Sequence, residues 1–291
     1  MFFKSLSIYR LDADWLAQLP AVAETLAQHP LPPITAIATE VRGWSPAVIA
    51  TDSAEQITLL RDYRNIPATA VKRLVAEKIR EHEQARGFRP GRKLLREIKE
   101  DVIARMVPQV PVQRAEYQGV IDRQADLLLI NTATPARADD FTRSLRSALG
   151  TLPAAPIHPD RPMAYLLTRW LSGAELPPSF TVDQECQLVA PDETKAAVRF
   201  TRHPLSEQNV TQHLQAGKLA TRLALTWKDR ISFVIDEQAR LRKLQFLDSL
   251  RIAENRGELA GELGEQADLT LMVGDLRELV ADLIQALGME G

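Results

Sequence analysis

The sequence predicts an α+β fold in which strand-helix units are combined with a projecting helical hairpin. Several short runs alternate apolar and polar residues, which is typical of strands, whereas other segments repeat apolar residues at helical spacing. A turn at 87–91, rich in glycine and proline, joins two of these helical segments. The 291 residues allow one large domain or two to three small ones.

Composition excludes several classes of protein. Hydrophobic residues make up 45% and charged residues 25%, an ordinary balance for a soluble globular protein rather than a disordered chain. No apolar run approaches the roughly 18 residues of a membrane span, and the first residues carry charges instead of a signal-peptide core. The single cysteine, Cys186, cannot form an internal disulfide and fits a reducing compartment. We therefore expect a cytoplasmic protein without a membrane partner.

The elements before residue 67 follow from local patterns and from proline. The predicted elements are a strand in FFKSLSIYRL, a helix over 14–28 capped near Asp12, a Trp-bearing turn over 43–46 and a strand over 56–60. Prolines at 30, 32 and 33 end the helix, because proline lacks the N–H that would continue it.

The segments 67–86 and 91–106 are predicted to form the helical hairpin. At 100° per residue, each helix has one apolar side and one basic side. The apolar sides contain Val71, Leu74, Val75 and Ile79 in the first helix, and Leu94, Leu95, Ile98, Val102 and Met106 in the second. The basic sides contain Lys72, Arg73 and Arg80, and then Arg92, Lys93, Arg96 and Lys99, with Arg86, Arg89 and Arg92 near the tip.

The remaining chain repeats the strand-helix pattern without a fixed-period repeat. The predicted elements are strands at 117–121 and 127–133, a helix over 141–149 capped by Asp140, a strand at 196–200, a helix over 206–215, strands at 219–227, 231–235 and 241–246, and a helix over 275–287. A proline-rich stretch at 150–178 indicates a boundary. We therefore expect a central α+β domain (1–66 and 115–155), a basic hairpin tip (67–114) and a C-terminal α+β base (156–291).

Charge is segregated along the chain although the net charge is only -2. Residues 61–114 hold 14 Lys/Arg and 7 Asp/Glu, whereas residues 236–291 hold 6 and 12. A basic block beside an acidic tail indicates a polyanion-binding surface or a self-complementary interface. It is equally typical of a solvated helical face, so charge alone leaves both interpretations open.

Motifs for enzymatic chemistry are missing from the sequence. There is no P-loop, no dinucleotide fingerprint, no zincin motif and no nucleophile elbow, and the histidines have no ligand-like spacing. The pairs Asp139–Asp140 and Glu100–Asp101 fit a helix cap and a solvated face better than a nuclease metal site. Trp44, Trp170 and Trp227 lie among apolar neighbours and are expected in the core. We expect no catalytic residues, no metal and no cofactor.

Motifs along nearly the whole chain resemble the RdgC family of recombination-associated proteins of the bacterial nucleoid. They are FFKSLSIYRL at the start, GW-x-P at 43–46, P-x-x-x-x-K at 67–72, EKI at 77–79, GRK and IKEDV within 91–102, LRSALGTLP at 145–153, LTRWL at 167–171 and HLQAGKLATRLALTWKDRISFV at 213–234. The last motif is long enough to make a chance match improbable.

The resemblance implies a non-enzymatic protein that forms a ring-shaped homodimer, encircles duplex DNA and restrains recombinase-driven strand exchange at the nucleoid. Single-stranded DNA stays open as a second ligand. Residues that by resemblance would face the DNA are Lys72, Lys78, Arg92, Lys93, Lys99, Lys218 and Arg222. The hairpin's basic sides and tip add Arg73, Arg80, Arg89 and Arg96 to the candidate DNA-binding residues. With no base-reading motif present, binding is expected to be sequence-nonspecific and directed at phosphates.

One departure from the family concerns the segment after the hairpin. Family members commonly carry an L-P-R-A-F-like stretch with an aromatic residue at a gate-like dimer contact, whereas this chain reads VPQVP at 107–111. The acidic C-terminal part is the other candidate dimer contact. Two alternatives remain open at this point: a structural or adaptor protein whose hairpin docks an acidic partner, including its own C-terminal segment, and a metal-dependent nuclease.

Overall fold

The structure is a computed structural model that describes residues 2–157, 159, 161–174, 176–205, 208–247 and 261–288. It is an α+β fold with two antiparallel sheets. The helices are α1 (Ala13–Gln18), α2 (Val22–Ala27), α3 (Ala68–Arg86), α4 (Arg92–Met106), α5 (Pro135–Leu149), α6 (Met163–Leu171), α7 (Gln208–Gln215) and α8 (Glu262–Ala286), with a 3-10 turn at Val107–Gln109.

The strands of the first sheet are β1 (Ser7–Leu11), β2 (Glu40–Trp44), β3 (Ile49–Ala50), β4 (Ala54–Arg64), β5 (Val112–Asp122), β6 (Leu127–Ile130) and β7 (Ala154–Pro156). Their hydrogen-bonded order is β2-β4-β5-β6-β1-β7, with β3 paired to β4. The second sheet contains β8 (Phe180–Val189), β9 (Ala197–Thr201), β10 (Leu219–Trp227), β11 (Ile231–Asp236) and β12 (Leu241–Phe246). Its order is β12-β11-β10-β8-β9.

Contacts divide the chain into two compact units. The first comprises Met1–Thr25, Ala47–Ile57 and Tyr117–Gly291, and the second comprises Leu26–Pro46 and Thr58–Glu116. The second unit holds the α3–α4 hairpin, and the first holds the whole second sheet. The three-domain division expected from the sequence stays a prediction.

The core of the first unit forms around the second sheet and the helices α6 and α8. Trp170 and Trp227 are among its largest fully buried side chains, together with Phe3 and Phe233. The indole N–H of Trp227 donates to Asp282 Oδ2 on α8 at 2.7 Å, so its polar atom is satisfied inside the core. The expectation that the tryptophans are core residues is confirmed for Trp44, Trp170 and Trp227.

Two glycines are required by close approaches. A Cβ at Gly43 would lie 2.3 Å from the backbone of Leu31, where the chain runs beside β2. A Cβ at Gly119 on β5 would lie 2.5 Å from the ring of Phe141, a fully buried residue of α5. Gly43 thus belongs to a packed strand, and the prediction of a turn over 43–46 was wrong for its first half.

Proline explains the first error in the predicted helices. The single helix over 14–28 is two short helices, α1 and α2, because Pro20 interrupts them. The predicted cap is confirmed, since Asp12 Oδ1 accepts the N–H of Trp15 at 2.8 Å.

The later errors have other causes. Helix α5 begins at Pro135 after Thr134, so Asp140 lies inside it and pairs with Arg143 instead of capping it. The stretch 150–178, interpreted as a boundary, contains β7 and α6, and strand β8 was not predicted. Helix α8 is a 25-residue helix that starts well before the predicted residue 275. Residues 206 and 207 of the predicted helix over 206–215 lie outside the described residues.

No helix in the described part of the chain is long and apolar enough to cross a membrane.

An ion pair with a buried carboxylate joins α8 to the end of β5. Asp122 is fully buried, and Arg277 donates to both of its carboxylate oxygens at 2.8 Å. The same guanidinium donates to Gln124 Oε1 at 2.6 Å and to Ser53 Oγ at 3.2 Å. Because a buried carboxylate without its partner is costly, this side chain holds α8 in place.

We expect Arg277→Leu to lower the free energy of unfolding by about 3 kcal/mol, because it leaves the Asp122 carboxylate buried without its cation. Urea unfolding followed by circular dichroism measures the change. Arg143→Leu is the control, since it removes an exposed arginine paired with Asp140 and should cost less than about 1 kcal/mol. Equal losses in the two variants would contradict the assigned role of Arg277.

Candidate nucleic-acid interface

The hairpin of the second unit is formed by α3 and α4, and its ends follow from local sequence. Gly87 ends α3 in the left-handed conformation, with φ 74°, and its N–H donates to the carbonyl of Glu83 at 2.8 Å. Gly91 caps α4, where its carbonyl accepts the N–H of Leu95 at 3.0 Å. The predicted helices over 67–86 and 91–106 are therefore confirmed almost to the residue.

The apolar sides of the two helices meet in a seam. Val71 of α3 and Val102 of α4 are buried, and the other apolar residues predicted for this seam are partly buried. The basic residues predicted for the opposite sides are all exposed. Lys78, a candidate through the family resemblance, follows Leu74 by four residues on the apolar side of α3 and is partly buried. A helix that buries one side must leave the other in water, so the seam sets the exposure of the cations.

Part of the hairpin's positive charge is compensated within the hairpin itself. The ion pairs are Arg73–Glu77 (3.3 Å), Lys78–Glu81 (2.6 Å), Arg89–Glu83 (3.7 Å), Arg96–Glu100 (2.8 Å) and Arg105–Asp101 (3.0 Å). The hydrogen bond to Glu100 raises the pKa of Arg96 above its ordinary value. Of the candidate residues, Arg73, Lys78, Arg89 and Arg96 are therefore already paired.

The other hairpin cations have no carboxylate partner within 4 Å in the part of the chain that the structure describes. They are Lys72, Arg80, Arg86, Arg92, Lys93 and Lys99, all of them exposed. Arg80 Nε donates to the carbonyl of Ala76 in its own helix at 3.4 Å. Arg86 was placed near the tip but was not among the candidate residues, although its position before Gly87 in the last turn of α3 would have justified it.

Cations on the strands of the same unit are held differently. Arg114 donates to both carboxylate oxygens of Asp62 at 2.8 and 2.9 Å, and this contact lowers the pKa of Asp62. Arg61 pairs with Glu40. These two arginines are neutralised locally. Arg64 donates to the carbonyls of Val110 and Thr35 at 3.2 and 3.0 Å and has no carboxylate within 4 Å among the described residues. Most of the unpaired charge of the unit therefore lies on α3, α4 and the turn between them.

The remaining candidate residues, Lys218 and Arg222, belong to the first unit. Lys218 directly precedes β10, and its backbone N–H donates to the carbonyl of His213 at 3.1 Å. Arg222 lies on β10 opposite Gln187 and Asp236 in the strand register. Neither side chain has a carboxylate within 4 Å among the described residues. Lys195, Arg240 and Arg242 lie beside Arg222 around one cavity, which the sequence did not indicate.

Two other cations of the first unit are engaged by α8. Lys228 lies 3.2 Å from Asp282 and 3.6 Å from Glu278, and Arg230 pairs with Asp275. Lys228 also lies over the Trp227 ring, with Nζ 4.6 Å from its centroid. The acidic helix therefore compensates cations of its own unit.

Catalytic features are sparse in the described part of the chain. No three His, Cys, Asp or Glu side chains in the described ranges are grouped so that they could hold a metal ion. The thiol of Cys186 is buried, and burial, with a smaller contribution from Glu185, raises its pKa to about 11. It is therefore protonated at neutral pH, and a protonated thiol is a poor nucleophile.

Comparison with known proteins adds independent findings. A family model described as "Putative exonuclease, RdgC" matches residues 1–290. The chain is 36% identical over 298 residues to the recombination-associated protein RdgC of Cupriavidus pinatubonensis, covering 100% of this chain and 99% of the relative. It is 35% identical to the proteins of the same name from Cupriavidus necator and Dechloromonas aromatica, again covering 100% of this chain and 99% and 98% of those relatives.

We expect Gly87→Ala to destabilise the hairpin by about 1 kcal/mol, because alanine is strained at the positive φ of this position. Gly91→Ala is the matched control, since Gly91 has φ -70° and open space around its Cβ position. Hydrogen–deuterium exchange of the α3 and α4 amides should accelerate in Gly87→Ala and stay near native in Gly91→Ala. Unchanged exchange in Gly87→Ala would contradict the assigned cap.

Proposed function

Because the chain belongs to the RdgC family of recombination-associated proteins, we propose that it binds DNA without sequence preference and acts through contacts to phosphates. Binding, rather than catalysis, is the proposed activity. The ligand is duplex DNA, with single-stranded DNA as an outcome to be tested. The candidate DNA-binding residues of the hairpin are kept, with the unpaired ones as the main contributors. Lys218 and Arg222 of the first unit are not part of this proposed interface.

The surplus of unpaired cations on the hairpin is the observation that carries this proposal. Arg92, Lys93 and Lys99 are exposed on α4 and have no carboxylate partner among the described residues. Cations of this kind gain most from a phosphate, because no internal ion pair must first be broken. The paired cations Arg73 and Arg96 can contribute only by giving up their glutamates.

Phosphates are proposed as the target because the hairpin lacks a device for reading bases. Its exposed cations lie along two helices joined by a short turn and do not form a recognition helix of a known DNA-reading motif. Contacts to phosphates hold the protein on DNA without reporting its sequence.

We further propose that two copies form a ring around the duplex, as family resemblance implies. The charge surplus of one hairpin is modest, and a two-fold dimer doubles it on the same stretch of DNA. The proposed contacts are the C-terminal part and the segment at 107–112. In that segment Val107 is buried and the Val110 carbonyl accepts Arg64 Nε at 3.2 Å, whereas Val112 is 42% exposed. Pro108 and Pro111 are exposed as well, so these two residues and Val112 are the apolar side chains available there for a partner.

Occupation of duplex DNA by a closed ring gives a physical route to the effect on recombination. A recombinase filament needs access to both strands of the duplex, and a ring restricts that access. The protein would then act at the nucleoid in the cytoplasm. No recombinase contact surface is assigned.

The alternative is an adaptor whose hairpin docks an acidic protein partner. One form of it, docking of the chain's own C-terminal segment, has less support, because Asp275, Glu278 and Asp282 already contact Lys228 and Arg230. An external acidic partner remains the competing occupant, and DNA titration separates the two functions.

We expect the variant with Arg92, Lys93 and Lys99 all changed to Gln to bind duplex DNA at least about tenfold more weakly near 0.1 M salt. The slope of log K against log salt should become shallower by about 2 to 3 for each hairpin that contacts the duplex, because each phosphate that is no longer neutralised removes about 0.9 from it. Fluorescence anisotropy at several salt concentrations, on two unrelated duplexes and on a single strand, measures both quantities.

The matched control changes Arg105, Arg143 and Arg199 to Gln, which removes the same charge from exposed arginines that already have carboxylate partners. It should retain most of the affinity and of the slope. Equal losses in both variants, or a strong preference for one duplex, would exclude the proposed interface.

We expect the native protein to be a dimer by light scattering and to stay on nicked circular plasmid through a high-salt wash that removes it from the same plasmid in linear form. A closed ring cannot leave a circle by sliding. Cutting the bound circle once should release the protein. A monomer in solution, or equal loss of protein from circular and linear DNA, would contradict the ring. Neither result would contradict the proposed phosphate contacts.

A further inference from the structure

A cavity of about 400 Å³ opens beside the second sheet, within the first unit. Gln187 and Val189 of β8 line it and alternate with the buried Cys186 and Leu188, so the cavity lies on the sheet side facing away from these core residues. It contains four cations, Lys195, Arg222, Arg240 and Arg242, and two carboxylates, those of Asp236 and Glu237. The lining therefore carries a surplus of positive charge.

The cations of the cavity have different roles. The Asp236 side chain is 3% exposed and is held by Arg240 at 3.1 Å and Arg242 at 3.0 Å. The two arginines neutralise the Asp236 carboxylate, and the carboxylate holds both guanidinium groups in place. Arg222 and Lys195 have no carboxylate within 4 Å in the part of the chain that the structure describes. Lys195 Nζ donates to the carbonyl of Pro191 at 3.4 Å.

An uncompensated guanidinium in a recess attracts anions more strongly than one on an open surface, because the walls of the recess focus its field. The planar fork of Arg222 matches two oxygens of a phosphate at once. Half-buried Arg222 lies on a strand paired on both sides, so it is also better held than the exposed lysines of the hairpin.

Size and charge select the kind of phosphate. About 400 Å³ exceeds the volume of a phosphate ion and falls in the range of small-molecule sites. A terminal phosphate carries nearly two negative charges and three free oxygens. An internal phosphodiester carries one charge and has chain on both sides, which a recess accommodates poorly. Thr221, Gln187 and Gln238 supply neutral polar groups for the remainder of the ligand.

We propose that this cavity is a binding site for a terminal phosphate, with Arg222 and Lys195 as its principal contacts. The phosphate belongs either to a free mononucleotide or to a 5′-phosphorylated DNA end. The site goes beyond the proposed function, which concerns internal phosphates at the hairpin.

Calorimetric titration of the full-length protein with AMP, and with adenosine as the ligand without phosphate, tests the site. We expect AMP to bind at least about tenfold more tightly than adenosine. Arg222→Gln and, separately, Lys195→Gln should each weaken AMP binding, Arg222→Gln by about tenfold or more. Lys195 is exposed, so its variant keeps the test valid if Arg222→Gln does not fold.

The control is Arg199→Gln, which removes an arginine of the same sheet that is not among the cavity residues and pairs with Glu185 at 2.7 Å. It should bind AMP as the native protein does. The variant with Arg92, Lys93 and Lys99 changed to Gln should also keep AMP binding, so failure of the hairpin proposal and failure of this one are distinguishable. Succinate, a dicarboxylate without phosphate, is titrated as a second control. The proposal would be overturned if AMP bound no more tightly than adenosine, if succinate bound as tightly as AMP, or if both cavity variants bound AMP with native affinity.

Competition against AMP distinguishes the two sources. If an oligonucleotide competes only when it carries a 5′ phosphate, the site takes DNA ends. If neither form competes while AMP binds, the site takes a free nucleotide. Equal competition by both forms would mean that internal phosphates enter, and it would overturn the selection for a terminal phosphate.

Discussion

The apolar seam between α3 and α4 is the contact on which the candidate interface depends. Val71 and Val102 are buried in it, and the turn from Gly87 to Gly91 returns the chain so that the two apolar sides meet. Burial of one side fixes the rotation of each helix about its axis. The exposure of Arg92, Lys93 and Lys99 thus follows from packing, and no cation needs a contact of its own to be presented to solvent.

Local pairing of charges, and not net charge, decides where the protein presents unpaired cations. A net charge of -2 would argue against DNA binding if charges were spread evenly. Screening limits exposed charges to about 10 Å at 0.1 M salt, so a phosphate responds to its immediate neighbours. Around β10 and β11, the acids of α8 neutralise Lys228 and Arg230, whereas the hairpin keeps cations that have no carboxylate partner among the described residues. The acidic C-terminal helix therefore lowers the net charge without removing the basic surface.

The success of sequence reasoning depended on whether a local signal decided the structure. The hairpin, β10 and β12 were predicted closely, because periodicity and glycine caps act within a few residues. Strand β8 and helix α6 were missed, since long-range packing against β10 determines them and the surrounding prolines suggested a linker. The α+β class could be predicted from the alternating patterns. The order of the strands could not, because the sheets pair segments that are far apart in sequence, such as Ser7 with Ile130.

The candidate site was recovered only as a list of cations, because their pairing depends on geometry. Arg96 and Lys99 are both basic residues of the same helix, yet Glu100 forms an ion pair with Arg96 and not with Lys99. Arg222 was singled out through a motif, but its neighbours Lys195 and Arg242 come from other strands and loops. No periodicity within one element could have shown that they share a cavity.

The two proposals assign a different kind of phosphate contact to each of two environments for positive charge within one chain. Exposed cations on α3 and α4 are screened by salt and can contact any phosphate along a duplex. They would therefore add affinity for DNA without adding selectivity. Arg222 lies in a recess where charges are screened less, and its neighbours Arg240 and Arg242 are fixed by a buried carboxylate. A fixed recess discriminates by shape and charge, which an open helix surface cannot do. The hairpin would therefore set the affinity for any duplex, and the cavity would bind one chemical group, a terminal phosphate, selectively.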